Sequence, residues 1–104
     1  MPGMAYTMSK NFVVWFAKKC AHEYAPKGIR VVSVSPGLIE TDMGTREVQQ
    51  AEFARKMLDA TCERRMGKAS ELGFAIATIA DERNGYISGI DVLVDGGASS
   101  GKRF

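Results

Sequence analysis

The chain has 104 residues, of which 45% are hydrophobic and 25% charged, and its formal net charge is +2. This length and composition predict one globular domain over residues 1–104 and exclude a low-complexity chain. The fourteen basic and twelve acidic residues are intermixed along the sequence, so the charge pattern predicts no nucleic-acid interface.

The cysteines and the histidine predict neither a disulfide framework nor a metal site. Cys20 and Cys62 are the two cysteines and lack CxxC spacing, and His22 is the single histidine; both observations favour free thiols in a reducing compartment. The sequence shows no leader-like segment and no run of ~18 apolar residues. We therefore expect a cytoplasmic protein without membrane contact.

The first half of the chain predicts a helix followed by a strand. Residues 5–24 carry apolar side chains at a helical period on more than one side, which indicates a helix that needs burial on two faces. Pro26 and Gly28 end this helix. The β-branched segment 29–35 predicts a strand buried on both faces of a parallel sheet. Pro36 and Gly37 then end the strand with a turn.

The second half predicts two helices and one strand. Residues 47–65 are polar and charged and predict a lid-like helical segment. A helix over 70–81 is expected to have Ser70 as its cap, with Phe74 and Ile76 on its buried side. A strand centred on 90–94 follows. Two strands joined in this way predict an α/β fold, in which a helix precedes one βαβ unit with two parallel strands.

The stretch "AYTMSKNFV" places Tyr6 and Lys10 four positions apart on the first helix. Residues at this spacing lie on one helix face, so their polar ends can meet. An isolated phenol has a pKa near ~10, and a nearby ammonium favours the phenolate. The pair is therefore a candidate for proton transfer, with Tyr6 as the acid or base and Lys10 as the group that tunes it. The alternative is a surface pair without chemistry.

Three segments together resemble the short-chain dehydrogenase/reductase family from Gly3 to Gly97: "YTMSK", "APKGIRVVSVSPGLIETDM" and "GYISGIDVLVDGG". The resemblance implies the carboxyl-terminal portion of a Rossmann (doubly wound) fold. It also implies an NAD- or NADP-dependent oxidoreductase that interconverts small-molecule alcohols and carbonyls by hydride transfer. In the family's YxxxK motif, Tyr6 transfers the hydroxyl proton and Lys10 also holds the nicotinamide ribose, while Ser9 supports the helix.

The resemblance also implies further cofactor contacts after the first strand. Pro36 and Gly37 match the family's turn there, Ile39 contributes backbone to the nicotinamide, and Thr41 places a hydroxyl near its carboxamide. The segment 45–65 resembles the family's substrate-binding helices. The Asp95–Gly97 turn resembles a structural turn near the site. No residue is implied as a metal ligand.

The family's dinucleotide phosphate-binding half and its catalytic serine have no counterpart in these 104 residues. We therefore expect a truncated or split oxidoreductase that is inactive alone, because the pyrophosphate site and one oxyanion donor are missing. The alternative is a non-catalytic association module that pairs with intact family members. In the family, the first helix and last strand lie at subunit contacts, which implies a homo-oligomer or a complementing chain as partner.

Overall fold

A computed structural model describes residues 3–40 and 51–101. Two short 3₁₀ helices, Ala25–Lys27 and Glu82–Asn84, accompany the regular elements. In chain order these elements are α1 (Gly3–Tyr24), β1 (Ser33–Pro36), β2 (Ile39–Glu40), α2 (Ala51–Ala60), β3 (Gly67–Lys68), α3 (Ala69–Ala80), β4 (Asp91–Val94) and α4 (Ala98–Gly101). The helix-first order and the two longer strands agree with the predicted α/β fold.

Two compact units make up the chain, one formed by Met1–Val34 with Ile79–Val92 and the other by Ser35–Thr78 with Leu93–Phe104. Strands β1 and β4 pair in a two-stranded sheet. Ser33 N–H donates to the Ile90 carbonyl at 3.1 Å, and Gly37 N–H donates to the Val94 carbonyl at 3.0 Å. Both strands advance equally between these bonds, which identifies parallel pairing. The single-domain expectation stays a prediction.

The first strand is shorter than predicted, because it begins at Ser33 rather than at Ile29. Before it, Val31 N–H donates to Ser88 Oγ at 3.2 Å, and Gly89 N–H donates to the Val31 carbonyl at 2.8 Å. These irregular bonds replace the ladder of a regular strand at its start. The Arg30 guanidinium donates to four carbonyls at 3.1 to 3.3 Å, those of Ile79, Ala80, Asp81 and Ile87.

The segment predicted as helical over 47–65 is helical in α2 and ends at Ala60, which corrects its carboxyl boundary; residues 47–50 lie outside the described part of the chain. Thr61 N–H donates to the Leu58 carbonyl and Arg64 N–H to the Thr61 carbonyl, each at 3.1 Å. Arg64 has a φ of 53°, which lies in the left-handed region, so the chain after Ala60 does not resume a right-handed helix there.

Helix α3 begins at Ala69, so the prediction of Ser70 as its cap is wrong. The Glu71 carboxylate instead accepts the Lys68 N–H at 2.9 Å. A glutamate at the third helical position reaches back in this way in one half of a capping box. The predicted buried side of this helix is also wrong in part, since Phe74 is 75% and Ile76 48% exposed.

A second parallel pair, β2 with β3, was not anticipated from the sequence. Ile39 pairs with Gly67 and Glu40 with Lys68, and Gly67 N–H donates to the Leu38 carbonyl at 2.9 Å. A Cβ atom on Gly67 would lie 2.9 Å from Ile39 Cδ1, so glycine permits this close approach. Strands of two residues are too short to show a period of alternation.

Several large apolar side chains of α1 are exposed to solvent. Phe12 and Trp15 are 57% and 55% exposed, and Phe12 stacks on Phe16 with ring centroids 5.5 Å apart. None of the large side chains in the described residues is fully buried. The two-faced burial predicted for α1 is therefore not achieved within these residues. Among the helices of the described ranges, none is long and apolar enough to cross a membrane.

Candidate functional site

Tyr6 and Lys10 come together on the first turns of α1. The Lys10 Nζ atom lies over the Tyr6 ring, 5.5 Å from its centroid, as expected for side chains one helical turn apart. Tyr6 is 62% exposed. A cation–π contact at an exposed site contributes only ~0.5–1 kcal/mol, so the ammonium can turn toward another acceptor. The catalytic role of the pair stays a prediction.

Ser9, the residue before Lys10, has a structural role. Ser9 donates its hydroxyl to the Ala5 carbonyl at 2.9 Å, a bond within α1 that joins residues four apart. This hydroxyl is thereby engaged by the helix backbone, in agreement with the expectation that Ser9 supports the helix. Tyr6 and Lys10 are both exposed on this turn.

The other candidate cofactor residues belong to the second unit, where Pro36 ends β1. Gly37 N–H donates a hydrogen bond to the Val94 carbonyl. A Cβ atom on Gly37 would lie 2.8 Å from Asp95 Cα. The glycine therefore permits a close approach of backbones. Thr41 lies outside the described residues, and its contact with the carboxamide stays a prediction.

Ile39 is placed to offer its backbone to a ligand. The Leu38 carbonyl points to β3, where it accepts the Gly67 N–H. Because successive residues of a strand direct their backbone groups to opposite sides, the N–H and carbonyl of Ile39 point away from β3. These groups fit the role in nicotinamide binding that the resemblance implies.

The second unit contains two cavities next to these residues. The larger has a volume of about 340 Å³ and is lined by Ile39, Arg65 and Glu71 among others. That volume is within the ~300–1,000 Å³ range of small-molecule sites. Pro36 and Gly37 line the smaller cavity, of about 100 Å³.

Arg65 and Glu71, which both line the larger cavity, form an ion pair. The Arg65 guanidinium donates to both carboxylate oxygens of Glu71, at 2.8 and 2.9 Å. These bonds, with the Lys68 N–H, lower the pKa of Glu71 from 4.5 to about 2. Glu71 in turn raises the pKa of Arg65. The pair thus links the start of α3 to the segment before β3.

Acidification is expected to release this link. Because the pKa of Glu71 in the folded chain lies below its usual value of 4.5, its stabilising contribution is complete above about pH 4.5 and is lost as the pH falls toward 2. An NMR titration of the Glu71 carboxyl should give a midpoint near 2, and Arg65→Met should move it toward 4.5. A midpoint near 4.5 in the unmodified chain would contradict the pairing.

The Asp95–Gly97 turn is held by its own carboxylate, which accepts N–H bonds from Gly97 and Ser99 at 3.0 Å each. Burial alone would raise the pKa of the Asp95 carboxyl, but the bonds from Ser99 and Gly97 outweigh it and keep the pKa below its usual value. Gly96 and Gly97 have φ angles of 60° and 86°, which glycine adopts without strain. The structure confirms this segment as a turn after β4. The expectation that Gly96 and Gly97 end regular structure is wrong, because α4 begins directly after them at Ala98.

Sequence reasoning missed two ionic features: the four-carbonyl contact of Arg30 and the Arg65–Glu71 pair. Arg30 lies in an apolar strand-like run, where a single charge gave no indication of its partners. The spacing of Arg65 and Glu71 by six residues corresponds to no helical or strand neighbour. The sequence offers one signal for the Arg65–Glu71 pair. Glu71 lies in the first turn of α3, at a position where a glutamate can cap a helix.

Comparison with known proteins identifies the family. A family model described as enoyl-(acyl carrier protein) reductase matches residues 2–99. The 3-oxoacyl-(acyl-carrier-protein) reductase of Haemophilus influenzae is 39% identical over 97 residues, which cover 92% of this chain and 39% of that protein. The fold is that of a partial Rossmann domain. The chain belongs to the short-chain dehydrogenase/reductase family.

Solved structures agree with this assignment. A Serratia marcescens short-chain dehydrogenase/reductase, solved as a double mutant, is 33% identical with a TM-score of 0.80, covering 90% of this chain and 37% of that one. A structure described as ElxO with NADP bound is 30% identical with a TM-score of 0.77, covering 91% and 39%. The chain spans between 37% and 39% of the length of the first curated relatives it matches.

Proposed function

We propose that this chain supplies the proton-transfer part of an NAD(P)(H)-dependent oxidoreductase that interconverts hydroxyl and carbonyl groups. The observation that carries the proposal is the position of Lys10 Nζ over the Tyr6 ring, 5.5 Å from its centroid, on an exposed helix face. Family membership supports the reaction class, and the relative with NADP bound supports a nicotinamide cofactor.

Tyr6 is the acid and base of the proposed reaction. In reduction, its hydroxyl donates a proton to the carbonyl oxygen as that oxygen gains negative charge. In oxidation, its phenolate accepts the hydroxyl proton. Lys10 places its ammonium 5.5 Å from the centre of the Tyr6 ring and, from the same helix turn, holds the ribose of the cofactor. When bound, the nicotinamide supplies or accepts the hydride.

The carboxyl end of β1 provides the proposed nicotinamide contacts. Ile39 offers backbone groups directed away from β3, Pro36 and Gly37 shape the turn before it, and Thr41 adds a hydroxyl. The segment 45–65 covers a small-molecule alcohol or carbonyl in this proposal. Whether the substrate is an acyl thioester, as in the name of the H. influenzae relative, or a cyclic alcohol, as in that of cyclopentanol dehydrogenase, is decided by assay.

The proposal includes dependence on residues outside these 104. Dinucleotide pyrophosphate binds best at helix N-terminal amides of a glycine-rich turn after a first strand, and no GxGxxG pattern follows the first strand of this sequence. We propose that a preceding segment, on the same polypeptide or on another, completes the site. Without it, the chain neither binds the cofactor tightly nor turns over substrate.

A fusion tests this dependence. The region of the H. influenzae reductase that precedes the matched residues is joined to this chain to give what we call the completed chain. Nicotinamide oxidation with a 3-oxoacyl thioester, and reduction with cyclopentanol, are then followed by the absorbance of the reduced nicotinamide. Turnover is expected from the completed chain and none from the 104 residues alone. Turnover by the 104 residues alone would contradict the proposal.

The exposed apolar side chains of α1 favour a second candidate function, a non-catalytic module that pairs with intact family members. Phe12, Trp15 and Phe16 are each about half exposed. Full burial of an exposed side chain of this kind is favourable by ~1.5–3 kcal/mol, so covering the exposed half in an interface contributes about half of that for each. The fusion separates the two candidates. A completed chain that folds and binds NADPH yet shows no turnover, together with co-purification of the 104 residues with an intact relative, would favour the module.

A further inference from the structure

The end of α2 is closely joined to the Asp95–Gly97 turn, within the second unit. Cys62 N–H, two residues after α2, donates to the Gly96 carbonyl at 2.8 Å, and Glu63 N–H lies 3.4 Å from the same oxygen. The Cys62 Sγ atom is 3.8 Å from the Gly97 carbonyl. Main-chain and side-chain contacts thus converge on two successive glycines.

These glycines leave no space for a side chain. A Cβ atom on Gly97 would lie 2.6 Å from Cys62 Sγ and 3.0 Å from Cys62 Cβ. A Cβ atom on Gly96 would lie 2.7 Å from Thr61 Cγ2, and Thr61 is itself buried. Distances this short require backbone movement or displacement of the neighbour. The turn and the end of α2 are therefore fitted to one another.

The Asp95–Gly97 turn is itself held by hydrogen bonds and close contacts, so it can hold the end of α2 in place. The Asp95 carboxylate accepts the N–H groups of Gly97 and Ser99, and the adjoining Gly37 contacts Asp95 backbone so closely that a methyl group there would collide. Helices α2 and α4, which lie on either side of the contact in sequence, also pack together. The contact lies directly after the carboxyl end of α2, which is Ala60.

We propose that the Asp95–Gly97 turn anchors the carboxyl end of α2, with Gly97 and Cys62 as positioning residues for the segment that covers substrate. The inference rests on the proposed function in one respect, since it takes segment 45–65 as the substrate-covering part. It adds the structural device by which that segment is held in place. Neither residue transfers a proton or touches the reacting atoms.

Hydrogen exchange of the 104-residue chain tests the anchor without any activity. Gly97→Ala is expected to raise the exchange rates of the Cys62 amide and of the α2 amides about tenfold, as overpacking opens the contact, while the amides of 69–78 stay protected. Gly73→Ala is the matched control, because a Cβ atom there meets nothing within 4 Å. Gly28→Ala controls for backbone strain, since Gly28 has a φ of 75° and equally open space. Unchanged exchange at Cys62 and α2 would overturn the proposal.

A second substitution guards against loss of the whole fold. If Gly97→Ala raises exchange everywhere, Gly97→Ala with Cys62→Gly removes both the Sγ and the Cβ atom that a Cβ on Gly97 would approach, at 2.6 and 3.0 Å, and is expected to restore protection in α2. Failure of this double variant to recover protection overturns the proposal, because the collision then does not explain the loss.

The completed chain gives the functional readout. Gly97→Ala is expected to raise the KM for the 3-oxoacyl thioester or the cyclopentanol about tenfold, with kcat and the KM for the nicotinamide within about twofold. Adding Cys62→Gly to Gly97→Ala is expected to lower that KM again, because it removes the colliding atoms and keeps the Cys62 main-chain bond to Gly96. A change in kcat alone, or an unchanged substrate KM, overturns the positioning role. Failure of the proposed function would appear differently, as retained turnover in Tyr6→Phe, and would leave the exchange result intact.

Discussion

Replacing Tyr6 by phenylalanine in the completed chain is expected to lower kcat by about 10²- to 10⁴-fold, the contribution of a positioned general acid or base. The substitution removes one oxygen atom and keeps the ring over which Lys10 lies, so α1 should be undisturbed. The KM for the nicotinamide is expected to change little. Steady-state rates with saturating substrate and cofactor provide the measurement.

Tyr24→Phe is a matched control for this experiment. Tyr24 lies at the other end of α1 and has a lysine, Lys27, over its ring at 5.8 Å, so the same atom is removed from a similar contact. Wild-type turnover is expected from this variant. Turnover of Tyr6→Phe within twofold of wild type would assign the proton transfer to another group.

Replacing Arg30 by alanine is expected to produce the largest loss of stability, because one guanidinium joins four main-chain carbonyls. Hydrogen bonds to charged groups contribute ~1.5–3 kcal/mol each, and carbonyls left unpaired add a cost. Since these four bonds share one partly exposed side chain, we expect a loss of about 3 kcal/mol, a large part of the ~5–15 kcal/mol that stabilises a typical domain. Urea unfolding of the completed chain measures it.

Arg83→Ala is the control for Arg30, and Arg30→Lys measures the role of geometry. The Arg83 guanidinium pairs with Asp81 at the surface with 90% of its side chain exposed, so its removal should leave the free energy of unfolding nearly unchanged. A lysine has a single donor atom and cannot reach four carbonyls at once, so Arg30→Lys should recover only part of the loss. Equal effects of Arg30→Ala and Arg83→Ala would contradict the structural role assigned to Arg30.

The main elements were predictable because their signals are local. The long apolar period of α1, the proline and glycine after it, and the glycine pair after β4 each depend on neighbouring residues in the sequence. The spacing of Tyr6 and Lys10 likewise predicts that they lie on one helix face. Parallel pairing of the two longer strands followed from the helical segments between them.

The contacts that join distant segments were not predictable in this way. The four carbonyls bound by Arg30 lie at least 49 residues away in the sequence, and the fit of Cys62 to Gly97 spans 35 residues. The burial expected of Phe74 and the α1 aromatics also failed, because an apolar period shows which residues share a face and does not show what covers that face. Residues 41–50, with Thr41, lie outside the described part of the chain.

The account depends on Tyr6 and Lys10 working as one proton-transfer unit, and a double-mutant cycle on the completed chain tests this most directly. The kcat/KM of Tyr6→Phe, Lys10→Met and the combined variant are compared with that of the unmodified chain. Residues that act as a unit are strongly non-additive, so the combined variant should lose no more than about threefold beyond the more damaging single change. A loss equal to the product of the two single losses would show that the residues act independently and would contradict the account.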